Sequence, residues 1–320
     1  MTRSAHFGRP LWLLAALLIP LAAGAQIAGE PGAFSRLGFG ARGMGMGNAM
    51  SAVRHGDVVS YYNPALLPWM ETRHGTAAIG LLSLDRRLNF LGASFPLPPT
   101  AGLSVGLINA GVSGIDGRDS DGEPTGDLST SENEVFLGFG IRFKPGFSLG
   151  VNLKLLYYDL YEDVTSTTFG FDIGAAYPVT RDVTLAITVR DLSSKYSWDT
   201  SDLYGQNGQT STDRFPLLYS GGVAYDLPDS LGLVTAEIEA SNASSLIMRA
   251  GAEVNLVPEL TVRAGIDRLD MKDEGNGVKP TFGFTARKSL GSWTPAITYA
   301  FVIEPFAPTG MHVIALAILF

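Results

Sequence analysis

The last ten residues, Met311 to Phe320, alternate strictly: His312, Ile314, Leu316, Ile318 and Phe320 fall on one side of an extended chain, and Val313, Ala315, Ala317 and Leu319 on the other. A period of two is the mark of a strand whose two faces meet different surroundings. A chain that stops on such a strand, with phenylalanine last, ends as a β-barrel of an outer membrane ends, so the pattern predicts a sheet closed in lipid.

The same period recurs upstream in candidate strands at 75–82, 87–95, 101–110, 133–143, 147–158, 167–177, 182–191, 215–226, 231–240, 245–255, 259–268, 279–288, 293–302 and 311–320. These fourteen segments predict an all-β fold, a transmembrane antiparallel β-barrel of about 14 strands spanning residues 73–320. Strands of about ten residues cross the apolar layer at a barrel's tilt, and an even count returns both ends to one side. In the clearest segment Phe147, Leu149, Val151, Leu153 and Leu155 interleave with Ser148, Gly150, Asn152 and Lys154; the first set is expected to face lipid and the second the lumen. Phe169, Phe171, Ile173 and Tyr177 repeat this, as do Val183, Leu185, Ile187 and Val189. The inward phase collects Arg142, Lys154, Asp172, Arg190, Glu237, Glu239, Arg249, Glu253, Arg263, Asp267 and Arg287. A Lys or Arg on the lipid side near the midplane costs about 2–4 kcal/mol, which holds charges to the lumen. Their mixed signs suit either ion pairs that brace the wall and anchor a plug or a polar path.

Short turns near 96–100, 144–146, 178–181, 227–230, 257–258 and 289–292 alternate with polar segments at 111–132, 192–214 and 269–278, the asymmetry of a periplasmic and an extracellular rim. Tyr157, Tyr158, Tyr177, Trp293, Tyr299 and Phe301 near strand ends suit membrane interfaces better than the buried face of a soluble β-sandwich. At the other end of the chain, Arg3 and Arg9, the apolar run Leu11 to Leu21 and Ala23-Gly24-Ala25 read as a cleaved secretory signal peptide over 1–25. The run is shorter than the roughly 18 residues a spanning helix needs. The chain has no cysteine, which excludes a disulfide scaffold, and its net charge of −8 gives no footprint for nucleic acid.

Residues 26–72 do not alternate and are rich in glycine, methionine and small side chains, which predicts an N-terminal plug with short helices at Ser51-Ala52-Val53 and Asn63–Leu67. Asn63 suits an N-cap and Pro64 the first helical position. Gly38-Phe39-Gly40-Ala41-Arg42-Gly43 has the spacing of a dinucleotide loop, but no strand precedes it and no crossover unit follows, so its glycines are read as close contacts or left-handed turns. The stretch from Ala33 through Gly38, Gly40, Arg42, Gly43, Met44 and Gly45 to Ala49, followed by Asp57 and by Ser60-Tyr61-Tyr62-Asn63-Pro64-Ala65, resembles the N-terminal signature of the PorV/PorQ family. That family belongs with FadL-like outer-membrane proteins. The resemblance implies a fourteen-stranded barrel with a plug, and a non-enzymatic role in type IX secretion or surface attachment with a protein partner or secreted cargo. Arg54-His55-Gly56-Asp57 and Leu66 depart from the family pattern.

No cofactor is implied. The histidines His6, His55, His74 and His312 are scattered, and no His/Cys metal spacing occurs. Asp116, Asp119, Asp121 and Glu123 could offer oxygen ligands to calcium, but they lack the full EF-hand order, and a solvated acidic loop is the default. Two roles remain open: a barrel presenting loops to a protein partner, and a FadL-like channel for hydrophobic small molecules such as long-chain fatty acids. A gap in one of the first strands beside an apolar pocket favours the channel, and a plug sealed by ion pairs favours the partner role.

Overall fold

In the computed structural model, which describes residues 29–57, 60–143, 146–161, 164–271 and 277–320, the alternating segments become the staves of one wall. They are β1 (His74–Leu81), β2 (Arg86–Leu97), β3 (Ala101–Arg118), β4 (Pro124–Phe143), β5 (Phe147–Tyr161), β6 (Val164–Pro178), β7 (Val183–Leu192), β10 (Leu218–Asp226), β11 (Gly232–Ser241), β12 (Leu246–Val257), β13 (Leu260–Asp270), β14 (Pro280–Arg287), β15 (Thr294–Val302) and β16 (Met311–Leu319). Two further strands, β8 (Lys195–Asp199) and β9 (Thr210–Arg214), form a separate hairpin. The fourteen wall strands pair antiparallel with their neighbours, and β16 closes on β1 from His74↔Leu319 to Leu81↔His312. Closure leaves no unpaired edge, the condition a sheet must meet in lipid. The predicted signal peptide lies outside the described residues.

The two faces sort as the period demands. Leu149, Val151, Leu153 and Leu155 of β5 stand exposed on the outside, while Ser148, Asn152, Lys154 and Leu156 are buried within. Phe169, Phe171 and Ile173 of β6 and Leu185 and Ile187 of β7 continue this outer band. Exposed Phe143, Phe147, Tyr177, Tyr225 and Trp293 ring the short-turn end, where Trp293 stacks on Phe320 at 5.9 Å. Tyr158, expected at an interface, instead points into the lumen, 5.0 Å from Tyr196 and 5.3 Å from Trp198.

Two expected loops are not loops. Most of 111–132 belongs to β3 and β4, which stay paired beyond the apolar band as far as Arg118↔Pro124, with register shifts between Val112 and Ile115 and at Gly117. Both faces of this projecting ladder are wet, so no hydrophobic alternation is needed to hold it. The segment 192–214 holds the β8–β9 hairpin, which folds inward: the Ser197 amide donates to Ser166 Oγ of β6 at 2.8 Å, and β7 pairs directly with β10 behind it.

The chain before β1 fills the barrel. One helix, α1 (Gly40–Gly45), and 3-10 turns at Ala33–Arg36 and Pro64–Trp69 carry it, and Met44, Met46, Ala49, Ala52, Leu66 and Leu67 are buried. Helix α1 forms on the glycine run expected to make turns, whereas Ser51-Ala52-Val53 is a turn rather than a helix, closed by the Val53 amide on Met50 O at 3.1 Å.

Candidate functional site

The plug fits because the wall makes room for it. A Cβ on inward-facing Gly102 would strike Leu67, on Gly140 and Gly150 the backbone of Pro64, on Gly174 the Asn63 side chain, and on Gly251 and Gly265 the backbone at Met46 and Gly47. Side-chain-free positions on six strands thus form a bed for plug backbone. Asn63 caps the turn at Pro64–Trp69 as expected: its Oδ1 accepts from the Ala65 amide at 2.9 Å, and its Nδ2 donates to Ser51 O at 2.9 Å. Within the glycine motif, Gly38 (φ 118°) and Gly40 (φ 69°) take conformations that L side chains avoid, while Gly43 lies against Tyr62 and Gly45 against the Arg263 stem.

The inward charges gather into three clusters. Lys154 Nζ lies 2.8 Å from Asp191, 3.1 Å from Asp172 and 3.5 Å from Glu134, all of them sealed from solvent. Arg190 adjoins this cluster, its guanidinium 4.5 Å above the Tyr61 ring and donating to Ser35 O at 3.2 Å. In the second cluster Arg249 binds Glu237 and Glu239 at 3.0 Å and Asp267 at 3.2 Å. The Ser51 amide donates to Glu237 at 3.1 Å and Asn48 to Asp267 at 3.0 Å, which ties the plug to the wall. In the third, Arg42 of α1 grips both oxygens of Glu253 at 3.0 Å and reaches Asp57 at 2.9 Å, and Arg263 shares Glu253 at 3.0 Å. Burial alone would lower the Arg42 pKa, but Glu253 and Asp57 outweigh it and hold the group above its ordinary value, so it stays charged.

Arg142 and Arg287 stand apart from these clusters. Arg142 sits near the rim, 4.6 Å over the Trp69 ring, with a bond to Pro99 O at 3.3 Å. Arg287 donates to Thr261 Oγ1. Sequence reading missed Glu134 and Asp191. Glu134 shares the inward phase of Phe136 and Gly138 and was open to detection. Asp191, at φ 63°, leaves the strand period altogether, and no alternation could have found it. The acidic loop gathers no group of three or more metal-capable side chains among the described residues: Asp116 pairs with Arg118 at 2.7 Å, and Asp119 Oδ1 accepts from the Asp121 and Glu123 amides at 2.9 Å, closing the turn itself.

At the depth of the Lys154 cluster one side of the lumen is apolar. Toward the long-loop end Leu88, Phe90, Ile108, Phe136 and Leu156 point inward and are buried, and plug residues Phe39 and Tyr61 meet them, with Phe39 5.2 Å from Phe90 and 5.6 Å from Phe136. Above this packing the inward hairpin adds Tyr196, Trp198 and Phe215, and Phe215 rests where a Cβ on Gly32 would fall. Toward the short-turn end lies a cavity of about 580 Å³ beneath Arg42, between His74, Arg263 and Arg287, with both charged and apolar walls. The ladders of β1–β2 and β2–β3 run without register shift, so the first strands show no gap. Outside them a groove of about 590 Å³ crosses β16, β1, β2 and β3, floored by small residues such as Gly75, Ala77 and Ala93.

No family model and no curated protein matches the sequence. Solved structures do. The CymD monoaromatic hydrocarbon channel superposes with a TM-score of 0.65 at 13% identity, covering 88% of this chain and 97% of that one. The Ralstonia pickettii toluene transporter TbuX gives 0.61 at 13% over 89% and 98%, and a Pseudomonas aeruginosa FadL homologue 0.60 at 11% over 88% and 98%. The likeness spans nearly the whole of each of these proteins and shows a shared fold.

Proposed function

We propose that this chain is an outer-membrane passage for small hydrophobic molecules, closed at rest by its plug. The observation that carries this reading is the apolar packing on the β2–β5 side of the lumen toward the long-loop end, where wall residues Leu88, Phe90, Ile108, Phe136 and Leu156 meet Phe39 and Tyr61 of the plug. A channel for hydrophilic solutes keeps a polar interior from end to end. Here a solute entering beside the hairpin meets aromatic and aliphatic side chains first, and each buried methylene it offers is worth about 0.8 kcal/mol. The fold shared with hydrocarbon channels supports the same reading. The unbroken first ladders and the clamp on Arg42 describe the closed state, so passage requires the plug or the hairpin to shift.

The test is uptake of radiolabelled toluene and oleate by cells that lack their own such channel, with and without this chain in the outer membrane. Faster entry of either label, reduced by Phe136→Asp at equal protein level, is the expected result. Equal entry with and without the chain would remove the proposal. The partner role implied by residues 33–67 draws no support from the comparisons; the sealed plug and the unbroken first strands are the features that favour it. Stoichiometric co-purification of a secreted protein, with no change in uptake, would restore it.

A further inference from the structure

Passage of a solute needs the plug to give way, and its sides are not held alike. Ser148 Oγ donates to Ala65 O at 2.7 Å, Asn152 to Ser60 O at 2.8 Å, Thr235 to Ala49 O at 2.8 Å and Thr281 to Gly45 O at 3.0 Å, so β5, β11 and β14 grip plug backbone. The pair of Glu253 with Arg42 adds β12. Among the described residues no hydrogen bond or ion pair joins 29–57 or 60–72 to β1, β15 or β16. At the depth of α1 the inward side chains of these three strands are small: Thr76, Ala78, Thr298, Ala300, Ala315 and Ala317. The two hydroxyls bond within the wall, Thr298 to Thr285 at 2.9 Å and Thr76 to Leu316 O at 3.4 Å. Parting plug from wall costs buried hydrogen bonds on the gripping strands and only dispersion contacts here.

We propose, resting on the uptake reading, that the solute stays inside the barrel, slips between α1 and the inner face of β15, β16 and β1, and leaves at the short-turn end. The space for this is already begun. Gly40 is buried, yet nothing lies within 4 Å of where its Cβ would stand. Beside it Phe39, Thr76 and Ala315 help to line a narrow cavity of about 20 Å³, enough for one water. Phe39 joins this cavity to the apolar packing at Phe90 and Phe136. Arg42, Asp57, Thr298 and Ala317 line both the narrow cavity and the one of about 580 Å³, which reaches the short turns at Asp182 and Asp229. The route thus has two constrictions, Phe39 and the Arg42–Asp57 pair. The wall beside it is intact, since β1 pairs with β16 and β2 without a shift. Thr76 and Ala317, partners across the closing ladder, also back the outer groove of about 590 Å³, so exit through the wall is the rival route.

The chain has no cysteine, so either face can be blocked after folding. Ala317→Cys places a thiol on the inner face, and Ala77→Cys places one on the exposed outer face at the next rung of the β1–β16 ladder. Cells carrying each full-length variant are treated with benzyl methanethiosulfonate, modification is confirmed by mass spectrometry, and entry of radiolabelled toluene is measured. Unmodified, both variants should match the parent. Modification of Ala317→Cys should reduce entry to that of cells without the chain, and dithiothreitol should restore it; modification of Ala77→Cys should change nothing. Heat-modifiable migration checks folding, and Ala315→Cys, which lines the narrow cavity itself, decides the matter if Ala317→Cys does not fold. Undiminished entry after modification of the inner thiol, an inner thiol that the reagent never reaches while toluene enters, or an equal loss with Ala77→Cys would overturn the route and leave the uptake reading standing. Equal entry with and without the parent chain would remove both.

Discussion

Lys154 holds together three acids that could not share a dry lumen without it. It is buried with Glu134, Asp172 and Asp191 around it, and Lys154→Met would leave those three carboxylates with Arg190 alone beside them. Breaking a buried pair from one side costs about 3–5 kcal/mol. Urea unfolding in lipid vesicles should show a loss of that order; a loss under about 1 kcal/mol would mean that the cluster carries no such burden. Gly150 makes a second prediction. Its missing side chain is where Pro64 sits, so Gly150→Ala should displace the plug turn, lower stability by about 1–3 kcal/mol and raise ion conductance in planar bilayers. Gly221→Ala, whose nearest neighbour is a methyl group 4.0 Å away, should do neither. At these positions the sequence was partly readable. Lys154 and Asp172 announce themselves as charges in an inward phase, but that Asp191 joins them depends on left-handed backbone at Asp191 near the end of β7, which no period encodes.

The wall strands were legible because lipid and lumen impose opposite demands on adjacent residues, as Leu149 and Ser148 show. Where that contrast vanishes, so does the signal. The ladder above Val112 has water on both faces, and β9, Thr210–Arg214, is exposed along its length, so both looked like loops. Helix α1 was hidden for another reason: Gly40-Ala41-Arg42-Gly43-Met44-Gly45 has poor intrinsic helix propensity, and tertiary packing under Tyr62 and Arg263 supplies what propensity does not. The hairpin yields a prediction of its own. Because β7 pairs with β10 behind it, replacing 195–214 with a short Gly-Ser link should leave the barrel closed while uncovering the plug beneath Phe215. The chain has no cysteine, so Phe34→Cys provides a single reporter. A water-soluble maleimide added from outside should label it slowly in the full chain and quickly once the hairpin is gone. Equal rates would show that the hairpin does not cover the lumen.

Across the molecule, one division of surroundings organises everything else: apolar side chains outside, a filled interior within, and a ladder with no free edge between them. The passage of hydrophobic solutes and the clamp on the plug both presuppose it. Spin labels placed singly at 147–156 and reconstituted in lipid vesicles read it residue by residue, through collision with oxygen, which concentrates in lipid, and with a water-soluble nickel chelate. Oxygen accessibility should rise at 147, 149, 151, 153 and 155 and fall at 148, 150, 152, 154 and 156, with the even set shielded from nickel as well. Oxygen accessibility that is uniformly low along β5, or an even set open to nickel, would contradict a lipid-facing wall around a plugged lumen.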